Sequence, residues 1–305
     1  MKMKRLLSSG PVAGRVRLAA VTLSLIAVSA LVAPTAAADA GDADDGAKAT
    51  AVQLARASDG VHNADIGGTA WYTDMKSGKV VVTVDSTVSA AEIAEIRKAA
   101  GAQAGKLEIK RTPGELTRFI AGGEAIYSGS VRCSLGFNVV RAGVYYALTA
   151  GHCTNGRPNW TFAGGTLGTV VAGQFPTNDY GVIQHANGAN ADGRVSLYNG
   201  TYRDIVNAAT PAVGQRIERS GSTTGYQTGT VTALNATVNY GNGQLVYGTI
   251  QTNACAQPGD SGGPLFSGET AHGLLSGGSG NCSVGGTTFF EPVVRPLGLY
   301  GLSVF

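Results

Sequence analysis

The first apolar stretch runs from Leu18 to Val32, behind a basic start and ahead of Pro34. It is short for a membrane span and is interrupted by Thr22, Ser24 and Ser29. With the small residues Ala36-Ala37-Ala38 behind it, it predicts a secretory signal over residues 1–38, cut after Ala38 or, as the other choice, after Ala40. No later segment is apolar enough to span a membrane. Residues 39–60 are rich in Ala, Asp and Gly and are expected to form a loose leader. Val80-Val81-Val82-Thr83-Val84 predicts a strand. Ser89-Ala90-Ala91-Glu92 is a capping-box pattern that opens a helix to about Ala100. Ile93, Ile96 and Ala100 share one face of it, and Gly101 can end it. Residues 61–119 therefore read as a small α/β unit.

From Ile120 the pattern changes to short apolar runs separated by turns. Val144 to Leu148, Gly229 to Leu234 and Gln244 to Ile250 read as strands. Turn signals recur at Asn155-Gly156, Asn187-Gly188, Asn199-Gly200 and Asn242-Gly243. Such spacing argues for an all-β sandwich or a pair of barrels. No sequence repeat is visible.

Composition sharpens the division. Hydrophobic residues make up 43% of the 305, enough for a core, while charged residues make up only 14% and glycines number 45. Lys76, Lys79, Lys98, Lys106 and Lys110 all lie before Ile120. From Ile120 onward there are eight arginines, eight acids and no lysine, a neutral surface with no nucleic-acid footprint. The four cysteines, Cys133, Cys153, Cys255 and Cys282, also lie there. An even count behind a signal implies disulfides, with three pairings open. The near-neighbour pairing would staple the segments around His152 and Ser261 separately, each bridge contributing roughly 2–4 kcal/mol. No C-x-x-C pair suggests zinc.

The chemistry concentrates in Gly259-Asp260-Ser261-Gly262-Gly263-Pro264. Its glycines allow a sharp turn and close approach of a substrate backbone. The amides of Gly259 and Ser261 are then available to a developing oxyanion. A serine nucleophile needs a base. Of the four histidines, His62 lies in the segment expected to be removed, and His185 and His272 read as ordinary surface or structural residues. His152 directly follows an apolar strand and precedes Cys153. The acid that orients it must be buried. Asp179 enters the apolar run Tyr180 to Ile183, whereas Asp192 and Asp204 sit in loop-like sequence and Asp260 is too near Ser261 in the chain. The order His152, Asp179, Ser261 is that of the chymotrypsin type.

Residues 120–305 resemble the streptogrisins, the secreted actinomycete branch of the chymotrypsin-like serine proteases. The resemblance rests on Ile120 to Ile126, Arg132 to Asn138, Leu148 to Cys153, Asn178 to Gly181, Gly221 to Gly225 and Pro258 to Leu265. Gly273 to Cys282 and Gly285 to Phe290 continue it. It implies an all-β fold of two packed antiparallel barrels, residues 120–208 and 209–305, with a short C-terminal helix. Ahead of them it implies a removed propeptide, residues 39–119.

The resemblance also implies the bridges Cys133–Cys153 and Cys255–Cys282, and catalysis by His152, Asp179 and Ser261 with no metal or cofactor. A primary pocket walled by Ala256 to Pro258 and by Ser276-Gly277-Gly278 should favour large apolar residues. Relatives that prefer glutamate carry a pocket histidine where this chain has Leu275, although His272 lies nearby in sequence. Maturation should cut between Phe119 and Ile120, in keeping with that preference. Asp260 should pair with Arg219, the alternatives being Arg216 or water. A secreted monomer acting on protein and peptide substrates is expected, free of nucleic acid and membrane, with its own propeptide as folding aid and inhibitor. A catalytically dead binding relative would lack a triad member, and an esterase would share the acyl-enzyme.

Overall fold

The computed structural model describes residues 41–116 and 118–305, with side chains from residue 50. The apolar run Leu18 to Val32 and both candidate cleavage positions, Ala38 and Ala40, lie outside the described residues. No described helix is long and apolar enough to cross a membrane.

The first element corrects an expectation. Helix α1, Gly41–Ala64, occupies most of the stretch read as a loose leader. Alanine is the strongest helix former, and Leu54, Ala57 and Val61 fall at spacings of three and four, so one stripe is buried. They pack on a three-stranded sheet of β1 (Thr69–Asp74), β2 (Lys79–Val84) and β3 (Leu107–Arg111). β2 is central, antiparallel to β1 and parallel to β3. A parallel pair needs a crossover, which α2 (Ala90–Ala100) supplies. Its capping box is formed: the Glu92 N–H donates to Ser89 Oγ at 3.2 Å and the Ser89 N–H to Glu92 Oε2 at 2.7 Å. Val80, Val82, Val84, Ile96 and Leu107 complete this core.

Phe119 is 65% exposed, and the next residue, Ile120, is fully buried. Ile120 opens β4 (Ile120–Gly122), followed by β5 (Ala125–Ser128), β6 (Val131–Ser134), β7 (Asn138–Arg141) and β8 (Val144–Thr149). A one-turn helix, α3 (Gly151–Thr154), precedes β9 (Asn159–Phe162), β10 (Gly165–Gln174) and β11 (Tyr180–His185). The sheet order is β6-β5-β9-β10-β11-β8-β7. Its edge strands β6 and β7 are consecutive stretches of chain, and Gly136 between them donates to Leu148 O at 2.7 Å, so the sheet closes on itself. Ile126, Leu135, Trp160 and Ile183 fill the interior. β12 (Ala191–Ser196) leaves this barrel, lies parallel to β4 and pairs with β13 (Tyr202–Arg203). Asp192, read as loop-like, is thus in a strand, its carboxylate gripped by Arg194 at 2.7 Å.

The second sheet comprises β14 (Asn207–Ala208), β15 (Arg216–Gly221), β16 (Gly225–Asn239), β17 (Leu245–Thr252), β18 (Pro264–Ser267), β19 (Thr270–Asn281) and β20 (Gly285–Pro292). It runs β14-β19-β18-β15-β16-β17-β20, and pairing of β19 with β20 closes it. Ile217, Val231, Ile250 and Phe290 are inside. A further cluster, including Phe137, Leu148, Val182, Phe266, Leu274 and Leu297, packs one barrel on the other and on helix α4 (Val294–Tyr300). This is the all-β, two-barrel architecture preceded by a small α/β unit.

Candidate active site

His152 and Asp179 come from the ends of two paired strands. β8 and β11 are antiparallel with Gly181 opposite Thr149. That register brings the residues just past the end of β8 beside those just before β11. Gly151 lies so close to β10 that a Cβ there would be 2.1 Å from the Gln174 carbonyl oxygen. His152 is then followed by Cys153, bridged to Cys133.

The Asp179 carboxylate is fully buried. Burying a charge is costly unless donors surround it, and three converge here. His152 Nδ1 lies 2.8 Å from Oδ2, the His152 main-chain N–H donates to Oδ1 at 2.8 Å, and Ser276 Oγ donates to Oδ2 at 2.6 Å. Tyr240 OH is 3.0 Å from that serine oxygen, and burial pushes the phenol up to about 12. The imidazole and the Phe175 ring pack in a T-shape with centroids 5.7 Å apart. The segment bearing Phe175 and Asp179 is laced to β17: Thr177 N–H donates to Leu245 O at 2.7 Å and Tyr247 N–H to Thr177 O at 3.0 Å.

Ser261 is held through its main chain. Its carbonyl accepts the Ser134 N–H at 2.8 Å and lies 4.0 Å from the Cys153 sulfur, next to His152. The following Gly262 has φ +81°, and a Cβ there would fall 2.0 Å from Thr149 Oγ1. Only glycine allows this turn to sit against the end of β8.

Two peptide planes upstream are also fixed. Thr223 Oγ1 donates to Pro258 O at 2.8 Å, and Gly263 N–H donates to Asp260 O at 2.9 Å. In a planar trans peptide the N–H points opposite to the C=O. The N–H groups of Gly259 and Ser261 are therefore turned away from those donors. Ser134 Oγ and Ser222 Oγ hold the Gly259 carbonyl at 2.9 and 3.0 Å.

Asp260, fully buried, accepts the N–H groups of Thr223, Thr224 and Gln257 at 2.8–3.0 Å and lies 3.3 Å from Arg219 Nη1. Burial pulls the Arg219 guanidinium below its ordinary value against the pull of Asp260. Arg216 is exposed. The second bridge, Cys255–Cys282, lies beside this pair, with Arg219 Nε donating to Cys255 O at 2.8 Å.

Ser261 opens onto a cleft of about 500 Å³ whose walls include Ala256, Pro258, Leu275, Gly277 and Gly278. The described lining carries no charged side chain. Past Leu275 the cleft-side edge of β19 has no strand partner among the described residues, since β18 pairs with it only up to Leu274. A neighbouring cavity of about 430 Å³ is lined by His152, Phe175, Tyr240 and Ser276.

His272 does not line the cleft. It is buried, its Nδ1 2.6 Å from Ala209 O and its Nε2 2.8 Å from Ser267 Oγ, and burial lowers it. His185 is buried too, Nε2 2.8 Å from Asn138 Oδ1, and burial alone lowers it to about 4. The one grouping of metal-ligand types among the described residues, Cys133, His152 and Cys153, has both sulfurs in the bridge.

Sequence reasoning missed Glu291 and Arg295, which sit behind Asp179, and Tyr240. Glu291 is the sole acid after Glu269 and Arg295, four residues on, the sole cation. That isolated pair beside an apolar strand was the available signal.

The comparisons divide the chain as its texture does. The alpha-lytic protease prodomain family matches residues 48–104 and the trypsin family matches residues 120–295. Streptogrisin-A of Streptomyces griseus is 58% identical over 257 residues, 84% of this chain and 85% of that protein. Among solved structures, a glutamic acid-specific serine protease described as using a novel histidine triad in substrate binding is 47% identical, with a TM-score of 0.59 over 61% of this chain and 100% of its own. Cellulomonas bogoriensis chymotrypsin is 45% identical, with a TM-score of 0.55 over 61% and 98%.

Proposed function

The chain belongs to the streptogrisin-type, chymotrypsin-like serine proteases and is a serine endopeptidase, and from that premise we propose that His152, Asp179 and Ser261 are its catalytic triad. The observation that carries this reading is the buried Asp179 carboxylate on His152 Nδ1. It fixes the tautomer that leaves Nε2 free to accept a proton. Ser261 Oγ attacks the peptide carbonyl, and His152 takes its proton and passes it to the leaving amine. Water then repeats the sequence on the acyl-enzyme. The N–H groups of Gly259 and Ser261 receive the oxyanion. The free edge of Ser276-Gly277-Gly278 pairs with an extended substrate, as a strand adds to a sheet edge.

The primary pocket takes large apolar side chains. The uncharged lining and Leu275 support this, since a buried glutamate would need a cation or a charged histidine there. The likeness to a glutamate-specific protease makes the choice worth testing directly. Peptides with Phe, Glu or Arg before the scissile bond are expected to rank Phe first in kcat/KM. Higher values on Glu or Arg would sink this reading. A casein zymogram cleared by the protein and blocked by a serine-directed phosphonate tests the triad itself.

Residues 1–38 act as an export signal and 39–119 as a propeptide. The self-processing cut falls between exposed Phe119 and buried Ile120, leaving barrels 120–208 and 209–305 as a monomer outside the cell. Because Asp260 already has Arg219, the freed amino group is not required as its partner. The prodomain instead aids folding of the glycine-rich barrels, whose nonlocal strand pairing is slow, and inhibits until digested. Refolding 120–305 with and without added 39–119 checks this. Equal recovery at equal rates would remove the folding role.

A further inference from the structure

A second buried carboxylate stands behind Asp179, and the mechanism above does not use it. Glu291, on β20, is fully buried. Its Oε2 accepts the main-chain N–H of Asp179 at 3.0 Å, and its Oε1 accepts Arg295 Nη1 at 2.7 Å. Arg295, in the first turn of α4, also donates to the Asn178 side chain. One ion pair thus grips residues 178 and 179 together. The Arg295 side chain is 29% exposed and the Glu291 side chain sealed, so the end facing Asp179 is negative.

We propose that Glu291 is a positioning residue for the Asp179–His152 couple: with Arg295 it fixes the main chain of Asp179, and as a buried anion it strengthens His152 as a base. This rests on the reading of His152 as the general base.

Two physical arguments support it. The first is geometric. Asp179 must meet three donors at once, and it lies two residues after Thr177, whose φ of +83° is strained for a β-branched residue. Strain of that kind persists only where the surroundings over-determine the chain. The second is electrostatic. A neutral amide could still accept the Asp179 N–H, but it would leave Arg295 without its anion and place no charge behind Asp179. The charge thus serves the ion pair with Arg295 and also stands one residue from the carboxylate that holds His152.

An anion there favours the imidazolium form of His152. The charged and titratable groups facing Glu291 are Asp179 before β11, Tyr180 on β11 and Arg295 on α4, with Tyr300 bonded to Tyr180. From β19, His272 is turned away toward Ala209. Burial pushes Glu291 up to about 7, against the Asp179 N–H and Arg295, so it changes charge in the same range in which a histidine ordinarily does.

The test uses Glu291→Gln and Glu291→Asp in the mature enzyme, with thermal unfolding to establish that each is folded. In Glu291→Gln the acid limb of kcat/KM is expected to move down by roughly half a pH unit or more. kcat should drop several-fold and KM should hold within about twofold. Glu291→Asp, which keeps the charge, should return the limb toward its original place. NMR titration of the His152 imidazole in a Ser261→Ala background gives the same comparison without turnover, so loss of the hydrolase reading and loss of this one are separately visible. Should Glu291→Gln not fold, the native side chain still answers. The imidazole in Ser261→Ala alone should titrate in two steps, one shared with the ¹³C carboxyl of Glu291. An unmoved midpoint in Glu291→Gln, equal activity losses in both variants with no change in titration, or a single imidazole step independent of Glu291 would overturn the proposal.

Discussion

Asp179, which holds His152, and Ser261, proposed to work with it, are secured in opposite ways. Asp179 is gripped by its carboxylate: a ring nitrogen, an amide and a hydroxyl all donate to it. Ser261 is gripped by its main chain, through Ser134, Gly262 and the fixed peptide planes of Pro258 and Asp260. The difference follows from the charge each must carry. A buried anion is stable only when its oxygens are occupied. On the proposed reading the Ser261 hydroxyl is the nucleophile and must stay unencumbered, so its position is set through atoms that take no part in the reaction. In both cases the fastening crosses between barrels. Asp179, on the first, is held by Ser276 and Glu291 of the second; Ser261, on the second, is held by Ser134 of the first.

Removing each flank's reactive group should produce the largest effects. Ser261→Ala is expected to lower kcat by about 10⁶-fold, with the fold intact and the bond between Phe119 and Ile120 uncut; mass spectrometry of the product and a peptide assay read both. Asp179→Asn is expected to cost about 10⁴-fold, through the wrong histidine tautomer. If the two losses were reversed in size, the assignment of nucleophile and orienting acid would need revision.

Next in size is the support under Ser261. Arg219→Met leaves Asp260 buried beside no cation and should cost roughly 3–5 kcal/mol in urea unfolding. An unchanged midpoint would show that the three N–H groups and the Thr224 hydroxyl that donate to Asp260 suffice alone.

A pH series then separates barrel stability from either flank. His185 is held neutral, with its value lowered to about 4 against about 6.5 unfolded. Between those values the unfolded chain binds more protons. Its contribution is thus fully present above about pH 6.5 and lost as pH falls to about 4, on the order of 3 kcal/mol. His185→Gln should flatten that slope without altering the relative effects at Asp179 and Ser261.

The smallest expected effects compare single hydroxyls. Tyr240→Phe removes a bond to Ser276 and should lower kcat/KM by roughly 2- to 10-fold. Ser134→Ala removes one of the two hydroxyls on the Gly259 carbonyl, frees the Ser222 N–H and should cost about 1 kcal/mol of stability. If both changes acted only on activity, or both only on stability, the contrast between flanks would lose its meaning.

The sequence disclosed the two textures, the helix at Ser89 and the short strands because each follows from local periodicity and capping. Helix α1 escaped because its glycines and aspartates masked the stripe of Leu54, Ala57 and Val61, which is buried only in the core it shares with α2, β2 and β3. His152 and Ser261 stood out by their neighbours. Glu291, Arg295 and Tyr240 did not, since each acquires its role from a strand or helix more than 60 residues away from Asp179 in the chain. The pairing of four cysteines, open to three choices on the residues alone, is a tertiary fact of the same sort.

The crossed fastening also bears on how such molecules coexist. In a concentrated population every copy is both a hydrolase and a potential meal for its neighbours. A copy whose barrels drift apart exposes chain to attack, but it loses the grip on Asp179 and on Ser261 in the same event. On the proposed triad, the event that makes a copy edible is thereby the event that disarms it.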